Sequence, residues 1–359
     1  MLAFSLQKYF SCNIIFFMKN IWLMPSYYNS FKCKCEKCRH TCCHGWQIPI
    51  SKKEYERLIT IDCDENMRHR LDVSFKVPDY IDENRYRIIS FNYLGDCPIQ
   101  KDGLCKIHSE LGEESLPKIC RLYPRSLKKV NNRLIACCSS SCERVIEMLL
   151  ESDSLNLIEV AMDEEPSLSY DVDEDIIKQL LKFHELMKDR STSLKRSIID
   201  ICSSINKEEF EKDFNCEINP INEGLNLLNR LATNGFLADI KDEISERYRN
   251  NNFQYELDKE YFEKLFPNWM HYFENVLNNS LLYENFPFVD NRFDKTNAYK
   301  GLCASYGLLR LVCVGYTSIH TSKDDLIDCI AALFHLIDHT AFYYNVNVLE
   351  KTPAILLNL

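Results

Sequence analysis

The sequence predicts a mainly α-helical protein whose N-terminal part is a small, irregular, cysteine-rich region. Two patterns lead to this fold class. Twelve of the 18 cysteines lie between Cys33 and Cys142, among short turn-like pieces, whereas the last 217 residues contain only five. Beyond Cys142, apolar residues recur at helical spacing between polar joints. The low glycine content, 9 of 359 residues, argues against a large all-β fold and against a glycine-rich nucleotide-binding sheet.

Composition divides the chain into three predicted parts. Residues 1–23 are interpreted as an N-terminal extension, with Met24 beginning the functional chain, because the apolar start lacks the full pattern of a signal peptide. Residues 24–150 form the cysteine-rich domain, and residues 151–359 form the helical domain. The acidic, proline-containing stretch DEEPSLSYDVDED, residues 163–175, is the best place for a connector.

Local signals predict the individual elements. In the cysteine-rich domain, an N-cap at Ser51 and Glu54 at the capping-box position predict a helix over residues 51–59. Residues 85–93 and 133–138 are predicted as short strands. The helical domain contains periodic segments at residues 143–150, 174–187, 191–204, 223–232, 237–249, 258–277, 298–316 and 322–343. The last segment follows a Ser322 cap, with Asp325 three residues later.

Charge and hydropathy narrow the classes of partner. A net charge of −10 disfavours nucleic acid or an anionic membrane surface as the main partner. The longest apolar run, residues 301–317, is short for a membrane span and contains Arg310, so it predicts a buried core helix. Because no convincing export signal is present, we expect a cytoplasmic protein, in which thiols remain reduced.

In a reduced compartment, closely spaced cysteines indicate a soft metal ion or an iron–sulfur cluster more than disulfides or thiol redox catalysis. The spacings Cys33-x4-Cys38 and Cys38-x3-Cys42 let one loop surround a centre. A second set contains Cys97, Cys105, Cys120 and Cys142. Between Cys97 and Cys105, the residues Pro98, Asp102 and Gly103 favour a tight reversal of the chain that returns Cys105 towards Cys97. Neighbouring side chains point apart, so one of Cys42 and Cys43 is expected to bind the centre while the other packs or binds a second centre.

Several residues near the cysteines, and two late histidines, have both a functional interpretation and an ordinary structural one. Arg121 and Tyr123 follow Cys120 closely and are candidates for the surroundings of the metal or for the active site, although packing and capping around the metal site is the expected role of both. His40 and His44 could replace a thiolate but are expected at the surface. Trp46 is expected in the core. A pair of histidines one turn apart, His335 and His339, is expected on an ordinary helix surface.

Three blocks of the sequence resemble the flagellin lysine-N-methylase family, within a wider CxxCxxCC cysteine-cluster grouping. MPSYYNSFKCKCEKCRHTCCHGWQI is similar to the opening of that family, with matches at Phe31, Cys33, Cys38, Cys42, Cys43, Gly45 and Trp46. CPIQKDGLCKIHSELGEESLPKICRLYPRS resembles the second block, and SSSCERVIEMLL resembles the closing cysteine before a helix. These blocks cover residues 24–150. The remainder resembles the family more loosely, chiefly in FENVLNNSLLYENFPF and in a late helix bearing a histidine.

The resemblance implies methyl transfer from S-adenosylmethionine to lysine ε-amines of flagellin. It also implies an iron–sulfur cluster, [4Fe-4S], with zinc as the alternative metal. The metal ligands would come from Cys33, Cys38, Cys42, Cys43, Cys97, Cys105, Cys120 and Cys142. Cys35, Cys63, Cys137 and Cys138 lie outside the family pattern.

The sequence assigns no residues to S-adenosylmethionine, since no Gly-rich loop after a strand is present. A cluster could bind S-adenosylmethionine, or it could serve only to stabilise the fold. The other function that the pattern allows is a non-catalytic metal-binding module that recruits a protein partner.

Overall fold

Strands and helices are interspersed up to residue 170, after which the described chain is helical. The computed structural model describes residues 20–40, 42–44, 48–92, 95–172, 175–249, 251–289 and 294–359. The strands are β1 (Asn20–Pro25), β2 (Ile48–Ile50), β3 (Phe75–Lys76), β4 (Arg87–Ile89), β5 (Gln100–Lys101), β6 (Leu104–Cys105), β7 (Arg125–Val130), β8 (Arg133–Cys138), β9 (Leu157–Met162) and β10 (Leu168–Tyr170). The α-helices are α1 (Lys52–Thr60), α2 (Glu65–Ser74), α3 (Lys118–Leu122), α4 (Glu143–Glu151), α5 (Asp175–Met187), α6 (Leu194–Phe214), α7 (Pro220–Leu231), α8 (Gly235–Tyr248), α9 (Asn252–Leu265), α10 (Trp269–Tyr283), α11 (Ala298–Thr317), α12 (Lys323–His339) and α13 (Phe342–Leu349).

A five-stranded mixed sheet, in the order β10-β7-β8-β1-β9, supports the helices. β1 lies parallel to β8, with Trp22 opposite Leu134, and antiparallel to β9. β7 and β8 form a hairpin through Asn131, whose positive φ of 52° suits an asparagine in a tight turn. The mainly α-helical class is confirmed, but the sequence did not predict this sheet: of its strands, only β8 was expected. Residues 20–23, interpreted above as part of an extension, form the first four positions of β1.

Buried side chains form a large and a small hydrophobic cluster. The large one begins at Trp22 on β1 and ends at Leu359, so it joins the sheet to the helices that follow. The small one is built from residues between Ile48 and Ile107, and several cysteines pack against it. The division into residues 24–150 and 151–359 stays a prediction. The packing joins strands from both sides of residue 150 into one core.

Most predicted helices are confirmed, and capping explains the clearest ones. Ser51 with Glu54, and Ser322 with Asp325, form the expected capping boxes of α1 and α12. Two predictions were wrong in length. Residues 258–277 contain the end of α9 and most of α10, separated near Pro267, which cannot continue a helix. Residues 322–343 contain α12 and the start of α13, which meet at 86°.

The long apolar run forms α11, which is buried along its length except at Lys300, as expected for a core helix. Gly307 is needed there because a Cβ at this position would lie 2.4 Å from the Cβ of Leu356. Among the described residues, no single helix has both the length and the apolar character to cross a membrane. By length and composition alone, the bent pair of α12 and α13 passes that test when taken together.

Candidate metal centre

The first cysteine loop, within residues 33–44, is held against the N-terminal end of α4. The carboxylate of Glu143 accepts hydrogen bonds from Lys34 Nζ at 2.6 Å and from the backbone amides of Arg39 and His40 at 3.0 and 3.2 Å. Lys34 also donates to Glu147 at 2.6 Å. These contacts place the loop beside Cys142, the N-cap residue of α4.

A second contact ties the same loop to α12. The Arg39 guanidinium makes a bidentate interaction with Asp328, at 2.8 and 2.9 Å, and lies 3.2 Å from Asp324. Lys34 and Arg39 therefore pair with carboxylates on two helices. Both cations anchor the loop through charge-assisted hydrogen bonds.

Four cysteines lie around this anchored loop, and we call them the helix-side cysteines: Cys33, Cys38, Cys42 and Cys142. Burial raises the pKa of Cys38 to about 12, and the nearby Glu143, Cys142 and Cys33 raise it further. Burial also raises the pKa of Cys142 to about 11, against the opposing effect of the Val145 and Arg144 amides. These mutual effects put Cys33, Cys38 and Cys142 in one neighbourhood, and Cys42 interacts with Cys142 as well as with Cys43.

The other four cysteines of the predicted set lie around a short hairpin, and we call them the hairpin-side cysteines: Cys43, Cys97, Cys105 and Cys120. β5 and β6 pair so that Cys105 lies opposite Gln100, and the turn residues Asp102 and Gly103 both have positive φ. This confirms the predicted reversal between Cys97 and Cys105. The Cys97 amide donates to the Cys43 carbonyl at 3.0 Å, which brings the first loop to the hairpin.

Thiols within the hairpin side also interact with one another. A hydrogen bond with Cys43, together with burial, raises the pKa of Cys97. Burial raises the pKa of Cys120, and Cys43 and Cys105 raise it further. The two neighbourhoods meet where the Cys42 thiol forms a hydrogen bond with Cys43, which raises the pKa of Cys42.

The donor chemistry fits a soft metal ion or an iron–sulfur cluster. No disulfide links any of the 17 cysteines in the described part of the chain. Thiolates are the ligands that zinc and iron–sulfur clusters use, and a buried thiolate needs a nearby cation. Within the described ranges, however, no three Cys, His, Asp or Glu side chains already stand at metal-binding positions. The thiols would have to turn from their mutual hydrogen bonds towards a bound metal.

The remaining cysteines of the first 142 residues lie elsewhere. Cys35 is exposed, with a φ of 51°, and its amide donates to Cys33 Sγ at 3.3 Å. Cys137 and Cys138 are buried in β8, and Cys63 packs against the small cluster. Their exclusion from the ligand set stays a prediction.

A partly buried chain of hydrogen bonds begins next to the cysteines at Tyr123. Its hydroxyl lies 2.8 Å from Ser141 Oγ, which lies 2.6 Å from Ser139 Oγ. Ser139 Oγ donates to Asp338 Oδ2 at 2.6 Å, and the Ser140 amide donates to the same oxygen at 2.9 Å. Burial raises the pKa of Asp338 to about 7, although these hydrogen bonds oppose the increase.

The two histidines of α12 belong to this region, so their assignment to an ordinary helix surface was wrong. His339 Nε2 lies 2.8 Å from Ser141 Oγ, and its ring centroid lies 5.9 Å from that of Tyr123. Burial lowers the pKa of His339 to about 3 and that of His335 to about 4, so both rings are neutral at pH 7. The His335 ring forms a hydrogen bond with the His44 backbone, which joins α12 to the cysteine loop.

The other predicted site residues lie at less central positions. Arg121 is exposed and pairs with Glu114 at 3.0 Å. The exposed imidazole of His40 stacks on Phe236 and lies 3.3 Å from Asp328, so the expected surface position is confirmed for His40. Trp46 lies outside the described residues.

Sequence reasoning missed the buried amides of α10, although it singled out their segment, FENVLNNSLLYENFPF. Asn279 is fully buried and accepts from Tyr27 Oη at 2.6 Å. Its Nδ2 donates to the Cys138 carbonyl and to Ser140 Oγ, both at 2.9 Å. Asn279 therefore fixes the loop that carries the serines of the hydrogen-bond chain. Two adjacent asparagines between apolar residues, in the stretch VLNNSLL, were the available signal.

Together these features define a mainly helical protein with eight grouped thiols beside a partly buried polar chain. The family model described as "FliB lysine N-methylase C-terminal domain" matches residues 128–351. The chain therefore belongs to the FliB lysine N-methylase family. This match lies mostly in the helical part, where the motif resemblance was loose, and so it extends the resemblance of residues 24–150.

Curated relatives agree with the family. The chain is 26% identical to a lysine-N-methylase of Salmonella typhimurium over 137 residues, which is 38% of this chain and 34% of that protein. A lysine-N-methylase of Salmonella choleraesuis matches to the same extent. The flagellar biosynthetic protein FliU of Salmonella muenchen is 24% identical over 127 residues, covering 35% of this chain and 75% of FliU. The matched region spans about a third of the length of the two lysine-N-methylases. No solved structure matches the chain.

Proposed function

We propose that this protein is a protein lysine N-methyltransferase that transfers methyl from S-adenosylmethionine to lysine ε-amines of flagellin. The observation that carries this proposal is the family match over residues 128–351. The names of the relatives, lysine-N-methylase and flagellar biosynthetic protein, support flagellin as the substrate. The reaction would take place in the cytoplasm, where flagellin is made.

We also propose that an iron–sulfur centre, [4Fe-4S], is part of the enzyme, with zinc as the alternative. Four of the helix-side and hairpin-side cysteines would hold it. A bound metal would supply positive charge among the thiolates and would fix the loop at residues 33–44 against α4 and the hairpin. This part of the proposal is supported by the set of possible ligands, eight cysteine thiols that lie around the first loop and the β5–β6 hairpin.

Methyl transfer to lysine requires a neutral amine, because a protonated ammonium has no lone pair with which to attack the sulfonium methyl. One proton of the lysine ammonium must therefore leave before the new N–C bond forms and the S–CH₃ bond breaks, and the transfer then gives a methylammonium and S-adenosylhomocysteine. The chain from Tyr123 through Ser141 and Ser139 to Asp338 can accept this proton by successive transfers between neighbouring hydroxyls. The raised pKa of Asp338, about 7, suits a group that must alternate between charged and neutral forms near pH 7.

The proposal is tested by incubating the anaerobically purified full chain with S-adenosylmethionine and flagellin, and by measuring the mass of the flagellin. Mass increases of whole methyl groups on lysine peptides are expected. Absence of methylated lysine, with metal retained, would overturn the enzyme and leave the non-catalytic metal-binding module.

The role of Asp338 is tested by Asp338→Asn, with Asp242→Asn as the control because that carboxylate is 74% exposed on α8. Asp338→Asn should slow transfer by about 100-fold or more, the scale of general base catalysis. The wild-type rate should fall as the pH drops below about 7, because Asp338 becomes protonated, and this fall should disappear in Asp338→Asn. An unchanged pH profile would contradict the role.

A further inference from the structure

We propose that α9 is a docking surface for the protein substrate, separate from the hydrogen-bond chain that ends at the buried carboxyl of α12. The surface has an exposed apolar stripe, which consists of Phe253, Leu257 and Tyr261. Beside it runs an acidic row, Glu256 and Glu260. Its occupant is an amphipathic helix of the substrate, with apolar residues on one face and lysines along one edge of that face. This inference rests on the proposed function, because it takes a lysine-bearing protein as the substrate.

The apolar stripe follows one face of α9. Its members are four residues apart, so their side chains lie one above another along the helix. Phe253 is 73% exposed, and Leu257 and Tyr261 are 44% and 45% exposed. In the part of the chain that the structure describes, no other helix exposes three large apolar side chains at this spacing. A continuous exposed apolar face marks an interaction site, whereas apolar side chains exposed singly need no explanation.

The opposite face of α9 holds the helix in the fold. Tyr255, Asp258 and Phe262 are buried there. The Asp258 carboxylate accepts a hydrogen bond from Tyr248 Oη of α8 at 2.9 Å, and the Phe262 ring packs against Trp269, with 6.2 Å between ring centroids. None of these contacts involves the apolar stripe. Substitutions in the stripe should therefore leave the fold intact.

The charge of α9 selects the kind of partner. Glu256 and Glu260 come three residues after the first two members of the stripe, so the acidic row lies directly beside it. They approach lysines of the same helix only to 3.8 and 4.0 Å, and such surface pairs are weak. A third exposed carboxylate, Glu263, pairs with Arg310, and within α9 Lys264 is the one exposed cation. The acidic row therefore complements lysines that flank an apolar helix face.

The docking surface and the hydrogen-bond chain lie at different ends of α10. Trp269, which packs against Phe262 of α9, is the first residue of α10. Asn279 lies ten positions later, about 15 Å along the helix, and donates to Ser140, whose amide donates to Asp338. A substrate helix docked on α9 therefore leaves the target lysine to come from another part of the same protein. Docking should favour the whole substrate over a short peptide.

The test compares KM and kcat for flagellin with those for a flagellin peptide that carries one lysine and is too short to form a helix. Phe253→Ser with Leu257→Ser should raise KM for flagellin by about tenfold or more, since it removes two apolar anchors, and should leave kcat unchanged. Glu256→Lys with Glu260→Lys should also raise this KM and weaken its dependence on salt. Neither variant should change the kinetics on the peptide.

Two matched controls separate docking from a general effect of the substitutions. Tyr344→Ser with Val348→Ser removes two exposed apolar side chains that are also four residues apart, on α13. Glu208→Lys with Glu211→Lys reverses two exposed charges on α6. Both should retain the wild-type KM, and circular dichroism checks the fold of every variant. An unchanged KM in the stripe variant, or an equal rise in its control, would overturn the docking surface.

Binding of flagellin is measured on the same preparations by calorimetry without S-adenosylmethionine, so that docking is scored independently of methyl transfer. Weaker binding by the stripe variant, from a chain that transfers no methyl, would overturn the proposed function and support the docking surface. Methyl transfer with equal binding by wild type and stripe variant would overturn the docking surface alone. Neither binding nor transfer would overturn both. A wild-type dimer in sedimentation that the stripe variant fails to form would assign the stripe to a second copy of this chain instead.

Discussion

Replacing Asn279 by alanine should destabilise the protein more than any exposed asparagine replacement. The amide is fully buried, and it joins the segment after β1, the end of β8 and the serine loop through three hydrogen bonds of 2.6, 2.9 and 2.9 Å. In Asn279→Ala, the Tyr27 hydroxyl, the Cys138 carbonyl and the Ser140 hydroxyl lose this partner inside the core. At about 1 kcal/mol or slightly more for each lost bond, the free energy of unfolding should fall by about 3–4 kcal/mol.

Urea unfolding of the full chain, followed by circular dichroism, measures this change. Asn226→Ala is the control, because Asn226 is exposed within α7 and alanine there should change stability by less than about 0.5 kcal/mol. Equal stabilities of the two variants would refute the account of Asn279 as the tie between sheet, serine loop and α10.

Two further predictions concern a buried carboxyl and the first strand. Glu350 is only 3% exposed, and burial together with the neighbouring Glu223 raises its pKa to about 7. Folding therefore favours the protonated form, a contribution that is complete below the ordinary carboxyl pKa and is lost as the pH rises through about 7. Glu350→Gln should match the wild type at pH 4 and exceed it by about 1–2 kcal/mol at pH 8 in urea unfolding. A chain trimmed to begin at Met24 should lose about 3 kcal/mol or more relative to one beginning at Asn20, because it lacks the buried Trp22.

For each of these two predictions, one outcome would contradict the reasoning. A pH-independent difference for Glu350→Gln would show that the carboxyl does not bind a proton near neutrality. Equal thermal stability of the two trimmed chains would show that residues 20–23 contribute no essential strand.

Elements specified by nearby residues could be predicted from the sequence. The capping boxes of α1 and α12, the hairpin turn at Asp102 and Gly103, and the buried helix α11 all depend on local signals. The break near Pro267 was missed because apolar spacing continued on both sides of the proline and outweighed it.

The sheet and the polar chain depend on partners far apart in the sequence, and local patterns carry little information about them. β1 pairs with β8 across more than 100 residues, and short strands show little alternation. Ser139 and Asp338, which share a hydrogen bond, are 199 positions apart. Spacing placed Cys142 in a second set with Cys97, Cys105 and Cys120, whereas in the structure Cys142 is the N-cap of α4 and lies beside the loop that Glu143 holds.

The most direct test of the central claim uses S-adenosylmethionine with an isotopically labelled methyl group. Flagellin incubated with it and with the anaerobically purified full chain is digested and sequenced by mass spectrometry. The account predicts labelled methyl on lysine ε-amines and none when the chain is omitted. Unlabelled lysines throughout, from a preparation that retains its metal, would contradict it.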